Sequence, residues 1–431
     1  MTPWRLSLGT VCLLFLAACG GGAAPSSPPA PASSAAAAKP ASAAASAPAS
    51  AKPAASAAAS ASAKPAASAS AKPAASGASA APKPTATTLP VVDADTTKVP
   101  LTRIPIPPIA GKTLSADIME VDQETHLLYV TDRTTDGVDV FDVSKPEARY
   151  LKTIKVPGGG TNGLTIAKNV NKVAVGNNDS SVSIIDIDPK SAKADTVIAT
   201  LSTGGKKRTD ETDYDPNTKK LYAANSDDQF VTVIDMATNQ IVKKIDLPGG
   251  ALEQPRYNPA DKMMYLTGSE DNVIYQFNTN NDTLVKKFDI GDKCNPNGIG
   301  INPTAGLAVL GCSNRNQQHT AVWDLKAAKV VSTTDKVGSG DAVIYDAKAD
   351  RFFFAASNFY RGGQMGIFDG KGGFITNVPT AVGAHGVAFD ETNNIVYTQD
   401  QLPGEGAMFS FPLPGGASAA AKPAASAKPS A

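Results

Sequence analysis

The sequence is short of the residues that most catalytic and metal sites require. Its 431 residues include only three histidines, four cysteines and two tryptophans. It contains no Gly-x-Ser-x-Gly elbow, His-Glu-x-x-His segment, phosphate-binding loop, Cys-x-x-Cys pair or haem-attachment motif. An active site would therefore have to be assembled from residues of distant segments.

Acidic residues are absent from both ends of the chain. Residues 1–92 and 406–431 hold eight of the 40 basic residues and none of the 40 acidic ones, so the middle of the chain carries a balance of −8. A domain this acidic lacks the basic surface on which nucleic-acid binding depends. We therefore expect no nucleic-acid partner.

Long apolar runs are also missing, and the N-terminal one spans only Val11 to Ala18, behind Arg5. Such a run is too short for a permanent membrane span and indicates a secretory signal over residues 1–18. The order Leu16-Ala17-Ala18-Cys19 resembles a bacterial lipobox, which implies that Cys19 is lipidated after cleavage. An ordinary cleavage site is the alternative. The sequence thus predicts export and a lipid anchor on the extracytoplasmic face of a bacterial membrane.

Low-complexity sequence surrounds one folded region. Residues 19–90 are almost entirely Ala, Ser, Pro, Gly and Lys, and residues 416–431 continue this composition. Frequent proline breaks helices, and the composition offers no core to bury. We predict a disordered tether over 19–90, a folded domain over 91–415 and a disordered tail over 416–431.

A strand-rich unit recurs seven times in the folded region, at intervals of 43 to 48 residues. The copies begin at Val121, Ile166, Tyr214, Tyr257, Ile301, Tyr345 and Phe389. A period near 44 without helical patterning is the size of a four-stranded propeller blade. The sequence therefore predicts an all-β fold, a seven-bladed β-propeller of four-stranded blades.

The last unit lacks an outer strand, because its third strand runs directly into the C-terminal tail. Residues 97–106, TKVPLTRIPI, precede the first unit and match the outer strands of the others in composition. Ring closure leaves no blade with a bare edge. We therefore predict that residues 97–106 complete the seventh blade.

The second strands carry a recognisable pattern, with LLYVTD from Leu127, MMYLTG from Met263 and IVYTQD from Ile395 in register. This pattern resembles the YVTN-type repeat of bacterial β-propellers. The resemblance implies a propeller, and the family's members are variously surface-layer, cell-envelope and oxidative-metabolism-associated proteins. The resemblance does not identify a ligand, because proteins that share the propeller fold have unrelated functions.

Two cysteines lie within the folded region. Cys294 precedes the fifth unit's inner strand and Cys312 follows that unit's second strand, and in a propeller these loops emerge on one face. A disulfide is expected in an oxidising compartment, with two free thiols as the alternative.

One column of the stacked repeats is entirely polar, five residues before the second residue of each copy. It contains Asp117, Asn162, Asp210, Glu253, Asn297, Asp341 and His385. These positions open the inner strands, so we expect the side chains to ring one mouth of the central channel. The four carboxylates Asp117, Asp210, Glu253 and Asp341 would suit a hard cation such as calcium. Turn capping by Asp and Asn is the alternative explanation.

The loop GGKKRTDETD, from Gly204, is the most charged of the loops between blades. It is interpreted either as a solvated loop or as a binding epitope. Its charges do not by themselves distinguish the two.

Two functions remain open on the sequence. The first is a monomeric binding or scaffolding module, held on a membrane through its lipid and recognising a protein or a cell-envelope polymer. The second is a propeller enzyme, or an accessory subunit of an oxidoreductase, with a metal or quinone at the channel mouth.

Overall fold

The structure is a computed structural model that describes residues 94–107, 112–357, 359, 362–400 and 406–415. The predicted signal, the lipidation site Cys19, the tether and the tail from residue 416 lie outside these residues. Within the described part, none of the helices is long and apolar enough to cross a membrane.

The described residues form seven four-stranded antiparallel sheets, as the repeats predicted. Strand β1 (Thr102–Pro105) comes before the first complete blade. Blade 1 consists of β2 (Ala116–Asp122), β3 (Leu127–Asp132), β4 (Gly137–Asp142) and β5 (Arg149–Lys155). Blade 2 consists of β6 (Thr161–Ala167), β7 (Lys172–Asn177), β8 (Ser181–Asp186) and β9 (Thr196–Ser202). Blade 3 consists of β10 (Thr212–Asp215), β11 (Lys220–Asn225), β12 (Phe230–Asp235) and β13 (Gln240–Asp246).

The remaining blades repeat this order. Blade 4 consists of β14 (Leu252–Asn258), β15 (Met263–Gly268), β16 (Val273–Asn278) and β17 (Thr283–Asp289). Blade 5 consists of β18 (Pro296–Asn302), β19 (Leu307–Cys312), β20 (His319–Asp324) and β21 (Lys329–Thr334). Blade 6 consists of β22 (Gly340–Asp346), β23 (Arg351–Ala356), β24 (Gln364–Asp369) and β25 (Phe374–Pro379). Blade 7 contains β26 (Ala388–Asp390), β27 (Ile395–Asp400) and β28 (Ala407–Pro412). Short 3-10 helices occur among the described residues at Lys168–Val170 in blade 2 and Ser226–Asp228 in blade 3.

The ring closes through β1, which pairs antiparallel with β28 as the fourth strand of blade 7. This strand is shorter than the predicted segment 97–106. Residues before it bond to blade 6 instead, where the Thr97 amide donates to the Asn377 carbonyl (2.8 Å) and the Asn377 amide donates to the Asp95 carbonyl (2.8 Å). The N-terminal segment therefore links blades 6 and 7.

A hydrophobic residue at the same position of each third strand builds the core of every blade. These side chains are at most 1% exposed: Phe141, Ile185, Ile234, Phe277, Trp323, Phe368 and Phe411. The turn between the first two strands also repeats, with a positive φ at its last residue, in His126, Asn171, Lys219, Lys262, Gly306, Asp350 and Asn394. The repeat unit of the sequence is thus one blade with its turn.

Glycines on the inner strands allow neighbouring blades to approach closely at the channel. A Cβ atom on Gly163 would lie 2.4 Å from the carbonyl oxygen of Asp210 in the next blade. Gly298 stands in the same relation to the carbonyl oxygen of Asp341, also at 2.4 Å. These contacts fix the backbone from which two polar residues of the channel mouth project.

Candidate ligand site at the channel mouth

Six of the seven residues in the polar column line one cavity of about 400 Å³ at an end of the channel. They are Asp117, Asp210, Glu253, Asn297, Asp341 and His385. The seventh, Asn162, does not line this cavity. It is buried, and its amide group donates to the Thr209 carbonyl (2.9 Å) and to Asn178 Oδ1 (3.1 Å).

The mouth is not the purely acidic ring that the column suggested, because two arginines reach into it. Arg133 forms an ion pair with Asp117, and its Nε donates to Asn162 Oδ1 (3.0 Å). Arg208 Nη2 lies 2.8 Å from Asp210 Oδ2. We call this cavity the charged mouth and define it by Asp117, Arg133, Arg208, Asp210, Glu211, Glu253, Asp341 and His385.

Arg133 belongs to a second repeated column, the position directly after the second strand. In the first six blades this column contains Arg133, Asn178, Ser226, Ser269, Ser313 and Ser357. Three members contact the inner-strand column of their own blade: Arg133 pairs with Asp117, Asn178 Oδ1 accepts from Asn162, and the Ser269 hydroxyl donates to Glu253 Oε1 (3.0 Å). Stacking the repeats at this position would have revealed the arginine.

Arg208, Asp210 and Glu211 come from the charged loop that begins at Gly204. The amides of Lys206 and Lys207 both donate to Asp228 Oδ2 (2.7 Å each), and these two lysines are exposed. The loop therefore divides into a solvated first half and a second half that enters the charged mouth.

His385 is held in its charged form at the edge of the mouth. Its Nε2 lies 2.8 Å from Asp117 Oδ1, and its Nδ1 lies 2.7 Å from the Gly383 carbonyl. Burial by itself would lower the pKa of His385, but the hydrogen bond and charge of Asp117, with the charge of Asp341, raise it to about 9. An imidazole with this pKa is protonated at neutral pH and cannot act there as a general base.

The pKa of Asp117 is shifted in the opposite direction from the pKa values of Asp210, Glu211 and Glu253. Burial would raise its pKa, but the hydrogen bond from His385 and the charge of Arg133 lower it. Burial raises the pKa of Asp210 to about 7 against the charge of Arg208, and it raises the pKa of Glu253 to about 8 with the repulsion of Asp210 and Asp341. An incoming cation would relieve that repulsion.

At the floor of the charged mouth, hydrogen bonds of one polar side chain cross the channel. Gln254, from blade 4, donates through Nε2 to Glu211 Oε2 (2.8 Å). Its Oε1 accepts from the amides of Ile299 (2.8 Å) and Val343 (3.1 Å). One side chain thus ties blades 3, 4, 5 and 6 together, and burial raises the pKa of Glu211 well above its usual range.

The charged mouth provides no preformed cage of metal ligands. Among the described residues, the one group of three ligand atoms within 4.8 Å of one another belongs to Cys294, Cys312 and His319 in blade 5. Calcium at Asp117, Asp210, Glu253 and Asp341 stays a prediction, and arginines already pair with Asp117 and Asp210. The geometry likewise offers no specific support for a metal or quinone enzyme.

The two cysteines form the expected disulfide, with their Cα atoms 4.3 Å apart. Both are fully buried. The bond joins the loop entering blade 5 to the end of β19, beside His319, whose Nε2 lies 2.8 Å from Asp292 Oδ2. It fixes a loop on the face that carries the charged mouth.

Comparison with known proteins does not identify a relative: no family model matches the chain, and no curated protein matches it. A propeller scaffold alone does not specify a function. What the protein binds must therefore be inferred from the chemistry of the charged mouth.

Proposed function

We propose that this protein is an exported, lipid-anchored propeller of the YVTN type that acts as a binding module for a protein or a cell-envelope polymer. The signal-like residues 1–18 and the lipobox-like segment ending at Cys19 support export and anchoring. The Cys294–Cys312 disulfide suits an oxidising compartment. The tether composition of residues 19–90 would hold the propeller away from the membrane surface.

The single observation that carries the binding function is the charge composition of the mouth. Five carboxyl groups face two guanidinium groups and one imidazolium in a cavity of about 400 Å³. Among the described residues, arginines pair with Asp117 and Asp210, whereas the Ser269 hydroxyl donates to Glu253 and the Asn297 amide group donates to Asp341. The cavity has room for one further cationic group, and a cation bound there would favour the ionised form of Glu253, whose pKa burial raises to about 8.

The partner's group is a basic side chain, most simply a lysine ammonium. An ammonium donates three hydrogen bonds and suits the carboxylates of Glu253 and Asp341 without needing a complete inner shell of oxygens. Calcium requires six to eight oxygen ligands, several of which would have to come from carboxylates already engaged by arginine. A partner protein or polymer with exposed amino groups would meet this requirement.

Calorimetric titration of the purified propeller with a short lysine peptide tests this function. The matched control is the same peptide with its lysine Nε acetylated. We expect acetylation to weaken binding about tenfold or more, because hydrogen bonds to charged groups are worth about 1.5–3 kcal/mol. Equal affinity for the two peptides, or calcium binding in preference to the lysine peptide, would refute the proposed function.

Anchoring is tested separately by membrane fractionation of the full chain. Cys19→Ala should release the protein from membranes, because the tether is too hydrophilic to hold it. A variant that stays bound after a salt wash would refute the lipid anchor and leave the mouth's role untouched.

A further inference from the structure

A second cavity, of about 350 Å³, lies along the channel and shares no lining residue with the charged mouth. Three of its charged side chains come from inner strands, three positions after the mouth column: Glu120 of blade 1, Asp213 of blade 3 and Arg256 of blade 4. The fourth is Asp346, at the end of the inner strand of blade 6. We call this second cavity the lower cavity. The proposal made for the charged mouth does not involve it.

Polar groups contribute the larger share of the surface that lines the lower cavity, and the rest is an apolar wall. The apolar wall is formed by Ile118, Leu164, Ile301, Val387 and Phe389, with the rings of Tyr257 and Tyr345. Ligand pockets combine apolar surface with convergent polar groups, at volumes of about 300–1,000 Å³. The lower cavity lies within that range of size and contains both kinds of surface.

Backbone hydrogen bonds hold the two carboxyl groups in place. The amide of Ile166 donates to Glu120 Oε2 (2.8 Å), and the amide of Tyr257 donates to Asp213 Oδ2 (2.6 Å). Each carboxyl group is thereby fixed to the strand of a neighbouring blade. The guanidinium of Arg256 donates to the carbonyl of Pro255 on its own strand (2.9 Å).

The charges of the lower cavity do not balance when all its groups are ionised. Three carboxyl groups, from Glu120, Asp213 and Asp346, face the one guanidinium of Arg256. A groove of about 500 Å³ adjoins the lower cavity and shares Glu120, Thr165 and Asp213 with it. The buried carboxyl groups of Glu120 and Asp213 therefore lie where the lower cavity adjoins this groove.

We propose that the lower cavity binds a small organic ammonium ion, with the ammonium group on Glu120 and Asp213 and its apolar or aromatic body against Phe389 and Tyr345. The carboxylates supply the acceptors for the ammonium group, and the aromatic rings supply apolar surface for the body of the ligand. Arg256 neutralises part of the negative charge of the lower cavity.

Binding of the ammonium ion is coupled to release of a proton. Burial, with the charges of Asp213 and Asp122, raises the pKa of Glu120 to about 8 against the opposing effects of the Ile166 amide and Arg256. Glu120 is therefore mostly protonated at neutral pH. A bound ammonium favours the carboxylate, so the proton leaves to solvent and the affinity rises as the pH approaches 8.

Calorimetric titration with benzylamine tests the proposal, with benzyl alcohol as the neutral control of similar shape. We expect benzylamine to bind and benzyl alcohol to bind at least about tenfold more weakly. Titrations near pH 7 in two buffers of different ionisation heat should show close to one proton released per amine. Glu120→Gln should abolish the proton release, and Asp213→Asn should weaken binding about tenfold or more.

Matched variants keep the test independent of folding and of the charged mouth. Asp246→Asn removes a carboxylate whose side chain is 82% exposed on an outer strand, and it should leave benzylamine binding unchanged. Far-ultraviolet circular dichroism shows whether each variant folds. Equal binding of the alcohol, absence of proton release, or loss of amine binding in Glu253→Gln rather than in Glu120→Gln would overturn the proposal.

Discussion

The Nε2 atom of His385 lies 2.8 Å from Oδ1 of Asp117, and this hydrogen bond joins the last blade of the ring to the first. Oδ2 of the same carboxylate pairs with Arg133 from the end of β3. These three side chains therefore link blade 7 to blade 1 at the mouth, in addition to the strand pairing that closes the ring.

Replacing His385 with glutamine should reduce the loss of stability that the propeller undergoes as the pH rises. The pKa of His385 is raised from 6.5 to about 9, so its stabilising effect is fully present below about pH 6 and is lost as the pH rises through about 9. At neutral pH we expect His385→Gln to cost about 3 kcal/mol, with little difference from the native chain near pH 10. Urea unfolding at several pH values measures this. A stability gap that is the same at all of them would contradict the imidazolium assignment.

Glu253→Gln should have the opposite effect. Burial raises the pKa of Glu253 from 4.5 to about 8, so the native chain should lose about 5 kcal/mol as the pH rises from about 4.5, where this group ionises in the unfolded chain, to about 8, where it ionises in the native one. The glutamine variant cannot ionise and should keep that stability. Thermal melting across this range, with Glu270→Gln as the exposed control, tests it. Parallel pH profiles for the native chain and Glu253→Gln would show that the mouth does not raise this pKa.

Removing β1 should destabilise the ring strongly. A chain that begins at Leu114 loses the ladder between β1 and β28, the Arg103–Asp400 ion pair and the burial of Ile104 and Ile106. Two buried isoleucines are worth about 3–6 kcal/mol, so we expect melting at least about 10 °C below a chain that begins at Val91. The truncated chain should also aggregate through its bare edge. Equal melting temperatures would mean that β1 does not secure the ring.

Loss of the Cys294–Cys312 bond should cost about 3 kcal/mol, because it closes a loop with a sequence separation of 18 residues. Cys294→Ser with Cys312→Ser is the variant to compare with the native chain by urea unfolding. Alkylation of exported protein without prior reduction should label neither cysteine. Recovery of both as labelled thiols would contradict the bond.

The propeller could be predicted from the sequence because each blade repeats its own turn and core. Phe141 and its six counterparts recur at one position, and the turn residue before each second strand adopts a positive φ. A repeat of this kind specifies local structure several times over. The closing strand could be predicted for a similar reason, although Thr97 bonds to blade 6 and not to blade 7.

The composition of the charged mouth could be predicted only in part. The inner-strand column placed Asp117 and Asp341 correctly, because they lie at equivalent positions on equivalent strands. Arg133 was missed because its column holds short polar residues in the other blades. Asn162 does not line the cavity, because hydrogen bonds to its neighbours keep it buried.

The lower cavity was missed for a backbone reason. Strict alternation along β2 would put residues 117, 119 and 121 on one face. A register irregularity between Ala116 and Met119 interrupts that alternation, and blades 2, 4, 5 and 6 have one at the equivalent place. Glu120 consequently lines the channel while Met119 packs in the core. A β-bulge of this kind leaves no clear mark in the sequence.

A double-mutant cycle tests most directly whether the charged mouth binds a basic group. Affinities of the lysine peptide and its acetylated form are measured for the native propeller and for Glu253→Gln with Asp341→Asn. If the mouth recognises a basic group, the peptide charge and these carboxyl groups should couple by more than about 1 kcal/mol. If acetylation weakens binding to both proteins equally, the peptide's charge is bound at another site. That result would contradict recognition of a basic group by the charged mouth.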